Sequence, residues 1–206
     1  NSPDGTGDIA ERLKRETGRV DVVHRTGKLG LGTAYITGFK HALDHGAQVI
    51  GQMDCDFSHP VDKVQPLYDA LSRGADLALG SRYIPGGSLD ENWPAWRKAL
   101  SGFGNFYSRT ILNIPIKDVT GGFKFWKREL LERMPLDQIR SNGYVFQVEM
   151  NYVAYLLNAK MVEIPFYFAD RKLGESKMSF KIQIEAAIRV WRLLEIHKEL
   201  SKRRMV

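Results

Sequence analysis

A short apolar run at residues 48–53 ends directly in Asp54-Cys55-Asp56, and this junction constrains the fold more than any other feature of the chain. The run predicts a buried β-strand, so the two carboxylates lie at the end of that strand. Carboxylates this close repel each other unless a cation lies between them. Mg²⁺ binds through one or two carboxylates and completes its coordination with water and phosphate oxygens. Taken alone, the junction predicts either a metal–diphosphate site or an acidic surface turn.

Strand and helix patterns alternate along most of the chain, which favours an α/β fold with a mostly parallel, Rossmann-like sheet flanked by helices. The predicted strands cover residues 20–24, 48–53, 76–80, 123–126 and 161–168. The predicted helices cover residues 8–16, 33–44, 62–72, 97–113, 128–134, 146–157 and 180–200. We interpret residues 1–206 as a single domain that ends in an amphipathic, basic helix within residues 178–206. We expect the apolar stripe of that helix, which includes Ile188 and Trp191, to pack on the core.

Charged residues follow three of the predicted strands. Asp54 and Asp56 end one strand, Arg82 follows the strand at 76–80, and Arg171 follows the strand at 161–168. In open α/β sheets, ligands bind beyond the carboxyl ends of the strands. A guanidinium can hold phosphate through paired hydrogen bonds, although each arginine by itself is equally consistent with a surface ion pair. Together these residues predict one crevice that holds a metal and a diphosphate.

Two further groups are candidate phosphate-binding elements. Arg97 and Ser101 lie four residues apart, so they share one face near the start of a predicted helix. Arg171 and Lys177 flank a glycine-containing stretch that could close over a diphosphate. An ordinary solvated surface is the alternative for each group.

Two neighbouring features carry weaker signals. We expect His59 to be an exposed residue before Pro60 rather than a metal ligand. The glycine-rich stretch at 27–32 has neither the dinucleotide-binding fingerprint nor the Lys-Ser/Thr pair of a phosphate-binding loop. It predicts a loop that leads into a helix and passes near a base or ribose.

The net charge of +6 and the pI of about 9.4 favour a polyanionic partner, such as a nucleotide, a nucleic acid or an anionic membrane. Basic residues concentrate at 198–204, and Trp93 and Trp96 lie in a polar loop, where they either mark a bilayer interface or cover the core. No stretch approaches the roughly 18 apolar residues of a membrane span. The single cysteine fits a reducing compartment. We therefore expect a peripheral location on the cytoplasmic face of a membrane.

Six strings in register resemble the polyprenol (dolichol) phosphate mannose synthases, which are inverting glycosyltransferases of family 2 with a GT-A fold. The likeness covers nearly the whole chain. The strings are QMDCDFSHP (52–60), LGSRYIPGG (79–87), RKALSGFGN (97–105), DVTGGFKFWKRELLE (118–132), GYVFQVEM (143–150) and DRKLGESKMS (170–179).

The resemblance implies transfer of mannose from GDP-mannose to a polyprenyl or dolichyl monophosphate. It implies that Asp54 and Asp56 hold Mg²⁺ or Mn²⁺ on the donor diphosphate, and that Arg171 and Lys177 engage the donor phosphates. The tryptophans at 93 and 96 and the basic C-terminal helix add a membrane surface to the expected partners, and a membrane protein is a further candidate. Nucleic acid is not among them.

The resemblance further implies that the acceptor phosphate is bound by Arg82, Arg97 and Ser101. The residues expected to carry the reaction are Asp56, Arg82 and Arg97.

The chain also departs from the family pattern. The family begins with two strands that carry nucleotide-binding residues, and we expect these to precede Asn1. Ser58 replaces a glutamine that some relatives use at the metal site, so we do not assign it as a ligand.

Three other functions fit parts of the sequence. One is a related enzyme that uses another nucleotide sugar, such as UDP-glucose. The basic pI allows a nucleic-acid-binding module, and the C-terminal helix allows a silent scaffold that docks on membranes.

Overall fold

The computed structural model describes residues 2–170 and 180–204, and it describes side chains in 2–170 and 186–204. The described helices are α1 (Thr6–Thr17), α2 (Leu31–Asp44), α3 (Val64–Ser72), α4 (Ala95–Leu112), α5 (Arg128–Arg133), α6 (Tyr144–Leu156), α7 (Phe180–Ile196) and α8 (Lys198–Arg204). The described strands are β1 (Val49–Gln52), β2 (Leu77–Ser81), β3 (Ser88–Leu89), β4 (Lys124–Lys127), β5 (Met161–Pro165) and β6 (Tyr167–Phe168).

Four strands form the main sheet in the order β1-β4-β2-β5. Strand β4 is antiparallel to both β1 and β2, whereas β2 and β5 are parallel. Strands β1, β2 and β5 therefore share the direction expected of a doubly wound sheet, and β4 runs against them. Because β4 is reversed, it enters the sheet at the edge where β1 and β2 end. Strands β3 and β6 form a separate parallel pair.

The sheet is covered on both faces, and every residue of β2 is buried. Leu77 and Leu79 pack into the larger core cluster, whose members come mainly from α2, α4, α5, α6 and α7. Ala78, between them, points to the other face and packs with residues of α3. This alternation is the two-residue period of a strand. Burying a leucine side chain contributes about 1.5–3 kcal/mol, so the two leucines fix β2 between the layers.

Two of the predicted strands differ from the structure. Residues 20–24 are not a strand: they have good strand-forming residues, but no described strand lies alongside to pair with them. The strand predicted at 161–168 is divided at Phe166 into β5 and β6, because β6 leaves the main sheet to pair with β3.

The C-terminal helix is also divided, and its buried face is not the predicted one. Helices α7 and α8 meet at His197, whose buried ring lies 2.8 Å from the Glu149 carboxylate of α6. Val190 and Leu193 face the core, whereas Ile188 and Trp191, which we expected to pack inward, are exposed. Among the described residues, no helix combines the length and the apolar character needed to cross a bilayer.

Candidate active site

The ends of three neighbouring strands meet at one edge of the sheet. Asp54 follows β1, Arg82 follows β2, and the turn at 118–122 leads into β4. Gly122 shows how close they come, because a Cβ placed on it would lie 3.9 Å from Asp54 Oδ1. A side chain larger than glycine would extend into this space. The reversed strand therefore adds a third element to the crevice predicted from β1 and β2.

A buried ion pair between Arg82 and Asp118 lies at this edge. Nε and Nη2 of Arg82 donate to the two carboxylate oxygens at 2.7 Å each. The Arg82 side chain is 9% exposed and that of Asp118 is 0% exposed. Nη2 also donates to Thr120 Oγ1 at 2.9 Å, and the backbone N–H of Arg82 donates to Asp118 at 3.0 Å. We call Arg82, Asp118, Thr120 and Asn105 the Arg82 wall.

Asn105 of α4 extends this wall. Its Oδ1 accepts the backbone N–H groups of Val119 and Thr120 at 2.8 and 3.2 Å, and its Nδ2 donates to Thr120 Oγ1 at 3.0 Å. Burial alone would raise the pKa of the Asp118 carboxyl, but the charge and hydrogen bonds of Arg82 outweigh burial and lower it. Asp118 is therefore ionised at neutral pH and holds the guanidinium in place.

Asp54 and Asp56 lie beyond β1, and both are half-buried; we call this pair the acidic edge. Asp54 Oδ1 accepts a hydrogen bond from the Tyr35 hydroxyl at 3.0 Å. Asp56 Oδ1 accepts from the backbone N–H of Ser58 at 3.1 Å and from its hydroxyl. Burial, and next the Asp54 charge, raise the pKa of Tyr35, so its hydroxyl stays protonated and remains a donor. Cys55 between them is exposed.

His59 is buried, which corrects the expectation of an exposed residue. It is 4% exposed, and its ring stacks on Phe123 with centroids 5.0 Å apart. Its Nδ1 accepts the backbone N–H of Asp54 at 2.9 Å. His59 therefore holds the backbone of the acidic edge against the aromatic residues beneath it.

Arg97 and Ser101 share one face of α4, as their spacing predicts. Arg97 Nη1 lies 3.3 Å from Asp170 Oδ1, and its guanidinium carbon lies 3.6 Å from the centroid of the Trp93 ring. Ser101 Oγ accepts from the Tyr83 hydroxyl at 2.6 Å. The two tryptophans expected in a polar loop differ in exposure. Trp93 is 8% exposed, whereas Trp96, in the first turn of α4, is 68% exposed.

A cavity of about 680 Å³ joins these groups. Asp54, Arg82, Arg97 and Ser101 line it, so of the four residues predicted to share one crevice, Asp54 and Arg82 do so. Asp56 is not among the residues that line it. Arg171 and Lys177 lie outside the described residues, so their expected approach to the donor stays a prediction.

The rest of the cavity wall is mostly apolar. Leu100 and Phe103 come from α4, Val148 comes from α6, and Val190 comes from α7. An apolar wall next to a charged one suits a ligand with a lipid chain and an anionic head group.

A buried lysine lies in the sheet beneath this edge. Lys124 of β4 is fully buried, and its Nζ donates to Gln147 Oε1 at 2.8 Å and to the Gln147 carbonyl at 3.2 Å. Gln147 Oε1 also accepts from Gln52, the last residue of β1, at 2.9 Å. Burial lowers the pKa of Lys124 to about 7. This network fixes the end of β1 two residues before Asp54.

The acidic edge offers only oxygen ligands, which are the donors that Mg²⁺ and Mn²⁺ prefer. Its two carboxylates would bind such an ion together with water and the oxygens of a diphosphate. Among the described residues, the group of three metal-ligating side chains lies elsewhere, at Asp21, His41 and His45. The acidic edge therefore suits a metal ion whose remaining ligands come from water and from the diphosphate of a substrate.

Sequence reasoning missed Tyr35, Asp118 and Asn105. Only the register of β4 brings Asp118 to Arg82, and no local pattern predicts that pairing. A signal for Asp118 was present, because an acid before Thr120-Gly121-Gly122 is a typical turn residue whose carboxylate caps nearby backbone. The glycine-rich stretch at 27–32 begins α2 and packs on the 141–142 turn: a Cβ on Gly32 would lie 2.4 Å from the Ser141 carbonyl.

Comparison with known proteins gives a consistent result. A model of the family described as "Glycosyl transferase family 2" matches residues 1–134. The polyprenol monophosphomannose synthase of Mycolicibacterium smegmatis is 45% identical over 190 residues, which cover 92% of this chain and 71% of that protein. The undecaprenyl-phosphate mannosyltransferase of Micrococcus luteus is 44% identical, covering 93% of this chain and 78% of that protein. The dolichol-phosphate mannosyltransferase of Pyrococcus furiosus is 35% identical, covering 98% of this chain and 55% of that protein.

Among solved structures, glucosyl-3-phosphoglycerate synthase from Mycobacterium tuberculosis in complex with UDP superposes with a TM-score of 0.58. The match covers 95% of this chain and 66% of that one at 15% identity. The same enzyme with Mn²⁺, UDP and glucosyl-3-phosphoglycerate also gives a TM-score of 0.58, at 14% identity. At these identities the likeness establishes the fold alone.

Proposed function

The chain belongs to glycosyl transferase family 2 and has a GT-A fold, and from this premise we propose that it transfers mannose from GDP-mannose to a polyprenyl monophosphate with inversion of the anomeric carbon. The observation that carries the proposal is identity of 45% and 44% with two polyprenyl phosphate mannosyltransferases over more than nine-tenths of the chain. The cavity is consistent with it, because it places acidic, basic and apolar walls next to one another.

At the donor end, Asp54 and Asp56 would hold Mg²⁺ or Mn²⁺. The ion would supply positive charge that stabilises the departing diphosphate. Tyr35 and Ser58 orient the two carboxylates through the hydrogen bonds described above. The family resemblance assigns Arg171 and Lys177, which lie outside the described residues, to the donor phosphates.

At the acceptor end, the lipid phosphate is the nucleophile. The second pKa of a phosphate monoester is near 6, so the group is largely dianionic at neutral pH and needs no strong general base. The protein then has to position it and screen its charge from the donor diphosphate. Arg97 and Ser101 bind this phosphate at the cavity wall, and the lipid chain lies along the apolar wall.

Arg82 contributes differently from Arg97. Its Nε and Nη2 are held by Asp118 and Thr120, whereas Nη1 has no hydrogen-bond partner among the described residues. We assign Nη1 as its phosphate donor. The ion pair fixes the direction of this group before the acceptor binds.

The exposed aromatic residues around the cavity suggest how a lipid acceptor arrives. Trp96, Phe103 and Phe106 on α4 and Trp191 on α7 are all more than half exposed. Aromatic side chains favour the membrane–water interface, and each Lys or Arg near an anionic surface contributes about 1 kcal/mol. We propose peripheral docking on the cytoplasmic face of a membrane through these residues and the basic α8, with or without a membrane-protein partner.

Co-sedimentation with anionic vesicles tests the docking. Trp96→Ser with Trp191→Ser should shift the protein to the supernatant, whereas Val61→Ser, at an exposed apolar residue that does not line the cavity, should not. If both variants sediment equally, the proposed docking surface is wrong, and the proposed sugar transfer is unaffected.

The enzymatic proposal is tested by incubation with GDP-mannose, Mn²⁺ and a short polyprenyl phosphate, with the product identified by mass. We expect polyprenyl phosphate mannose, lost on adding EDTA. A parallel incubation with UDP-glucose tests the alternative donor. Transfer from UDP-glucose alone would make it the donor in place of GDP-mannose. Absence of transfer from either donor would reject the proposed activity.

A further inference from the structure

Three side chains that can ligate a metal meet away from the candidate active site, near the C-terminal end of α2. They are Asp21, His41 and His45, and their ligand atoms all lie within 4.8 Å of one another. His41 Nε2 lies 2.7 Å from Asp21 Oδ2, and the two imidazole centroids are 4.1 Å apart. Their helical spacing of four places both histidines on the same face of α2.

We propose that Asp21, His41 and His45 form a second metal site, specific for a transition ion such as Zn²⁺ rather than Mg²⁺. Two imidazoles and one carboxylate with an open fourth position are a common ligand set for Zn²⁺. Imidazole ligands favour Zn²⁺, Cu²⁺ and Ni²⁺, whereas carboxylates and phosphate oxygens favour Mg²⁺ and Mn²⁺. The protein therefore has two metal sites of different chemistry, and the second does not depend on the proposed sugar transfer.

The orientation of the ligands supports the site. His45 Nδ1 lies 2.7 Å from the His41 carbonyl oxygen. A ring N–H that donates to this carbonyl leaves Nε2 as a lone pair for a metal, which is the usual arrangement of metal-binding histidines. Asp21 Oδ1 is held by Lys14 Nζ at 2.6 Å and by the Val22 N–H at 3.0 Å, so Oδ2 faces His41. The hydrogen bond from Lys14 is the largest cause that lowers the pKa of Asp21 to about 2, which keeps this ligand ionised.

The electrostatic environment combines two favourable effects with one unfavourable effect. The C-terminal end of a helix carries a partial negative charge that stabilises a cation, and both histidines lie in the last turns of α2. The Asp44 carboxylate is close in sequence to His45 and adds negative charge. Lys14 is the opposing group, because its ammonium already neutralises Asp21. Removing the Lys14 charge should therefore strengthen metal binding.

The test is calorimetric titration of the EDTA-treated, dialysed protein with ZnCl₂. We expect one Zn²⁺ per chain, weakened roughly tenfold or more by His45→Gln and by Asp21→Asn. Lys14→Gln should tighten binding severalfold. Nitrogen NMR of the histidine rings should show Nε2 of His45 ligated in the zinc form and Nδ1 protonated in both forms. Zinc should also raise the melting temperature of the unmodified chain but not of His45→Gln.

The controls separate this site from others that bind zinc. His24→Gln removes an exposed histidine outside the cluster, and Cys55→Ser removes the exposed thiol beside the acidic edge; neither should change the affinity. His45 is exposed at the end of α2, so His45→Gln should retain the native circular dichroism spectrum and Mn²⁺-dependent transfer. The proposal is overturned if no binding is detected with ZnCl₂ up to millimolar concentration, or if His45→Gln binds zinc with the same affinity as the unmodified chain.

Discussion

The Arg82 wall and the acidic edge adjoin the same cavity but differ in how deeply the protein buries their charges. Asp118 in the wall accepts paired hydrogen bonds from Arg82 and is fully buried. Asp54 and Asp56 at the acidic edge are half-buried, and they accept hydrogen bonds from Tyr35 and Ser58. The charges of the wall are removed from water, whereas those of the acidic edge stay partly solvated.

This difference indicates which wall is assembled before substrate binds. A buried ion pair is strongly destabilised when one partner is lost, so the Arg82 wall contributes to the stability of the fold itself. A half-exposed carboxylate pair stays partly solvated, so it contributes less to folding than the buried ion pair does. Substitutions should therefore separate into those that reduce activity alone and those that also destabilise the protein.

The largest expected effect is on activity at the acidic edge. Asp54→Asn and Asp56→Asn should each lower kcat/KM at least about a thousandfold, or roughly 4 kcal/mol, because the ion that stabilises the departing diphosphate is lost. The free energy of unfolding should change by less than about 1 kcal/mol, since both side chains are only half-buried. Steady-state transfer assays and urea unfolding measure the two quantities.

Asp62→Asn serves as the matched control, because Asp62 is an exposed acid a few residues further along the chain. It should change neither quantity. Full activity of Asp56→Asn at saturating Mn²⁺ would remove Asp56 from the metal site and the contrast with the wall.

The next largest effect is on stability. Asp118→Ala should lower the free energy of unfolding by about 3–5 kcal/mol, because it leaves the Arg82 charge buried without its partner. Because the folded-state pKa of Asp118 is lowered, its contribution is present above the unfolded pKa near 4 and is lost as the pH falls further. Denaturant unfolding at pH 7 measures the loss.

The paired variant Arg82→Met, Asp118→Leu should recover most of that stability while remaining inactive. Arg97→Ala breaks a more exposed ion pair, with Asp170, and should cost less than about 1 kcal/mol. A similar cost for Arg97→Ala and Asp118→Ala would mean that the two pairs do not differ as burial indicates.

The sequence alone predicted the acidic edge and the position of Arg82 because both depend on local patterns. Each charged residue follows an apolar run, and the carboxyl ends of parallel strands meet. Arg97 and Ser101 depend only on helical spacing. The resemblance supplied the expected roles, which no spacing could give.

The residues that the sequence did not reveal depend on long-range register. Asp118 reaches Arg82 because β4 runs antiparallel between β1 and β2, and a strand pattern carries no information about direction. His59 was expected to be exposed, but Phe123, which precedes β4, and aromatic residues at 166–168 enclose it. The face of α7 was misjudged because its apolar residues cover more than one face, and packing selects Val190 and Leu193.

Lys124, the buried lysine beneath the acidic edge, should have a smaller effect, on how the free energy of unfolding depends on pH. The unfolded chain keeps the Lys124 proton up to its ordinary pKa of 10.5, whereas burial lowers the folded-state pKa to about 7. Between these values the unfolded state binds more protons, so stability rises with pH. The free energy of unfolding should therefore rise by about 2–3 kcal/mol from pH 7 to pH 9, and Lys124→Met should remove this rise.

Unfolding curves of the two proteins at several pH values measure the difference, and groups common to both cancel in it. Lys127→Met, in the same strand, is the matched control and should keep the pH dependence. Parallel curves for Lys124→Met and the unmodified chain would show that the Lys124 ammonium is as stable in the sheet as in water.

The smallest effect should come from Arg97, which is half-buried beside the Arg82 wall. Arg97→Ala should raise the KM for polyprenyl phosphate about tenfold, since one charge-assisted hydrogen bond to phosphate contributes roughly 1.5–3 kcal/mol and part of it is replaced by water. The KM for GDP-mannose should stay within about twofold. Arg109→Ala, on α4 but outside the cavity, should change neither. A selective rise in the KM for GDP-mannose would move Arg97 to the donor end.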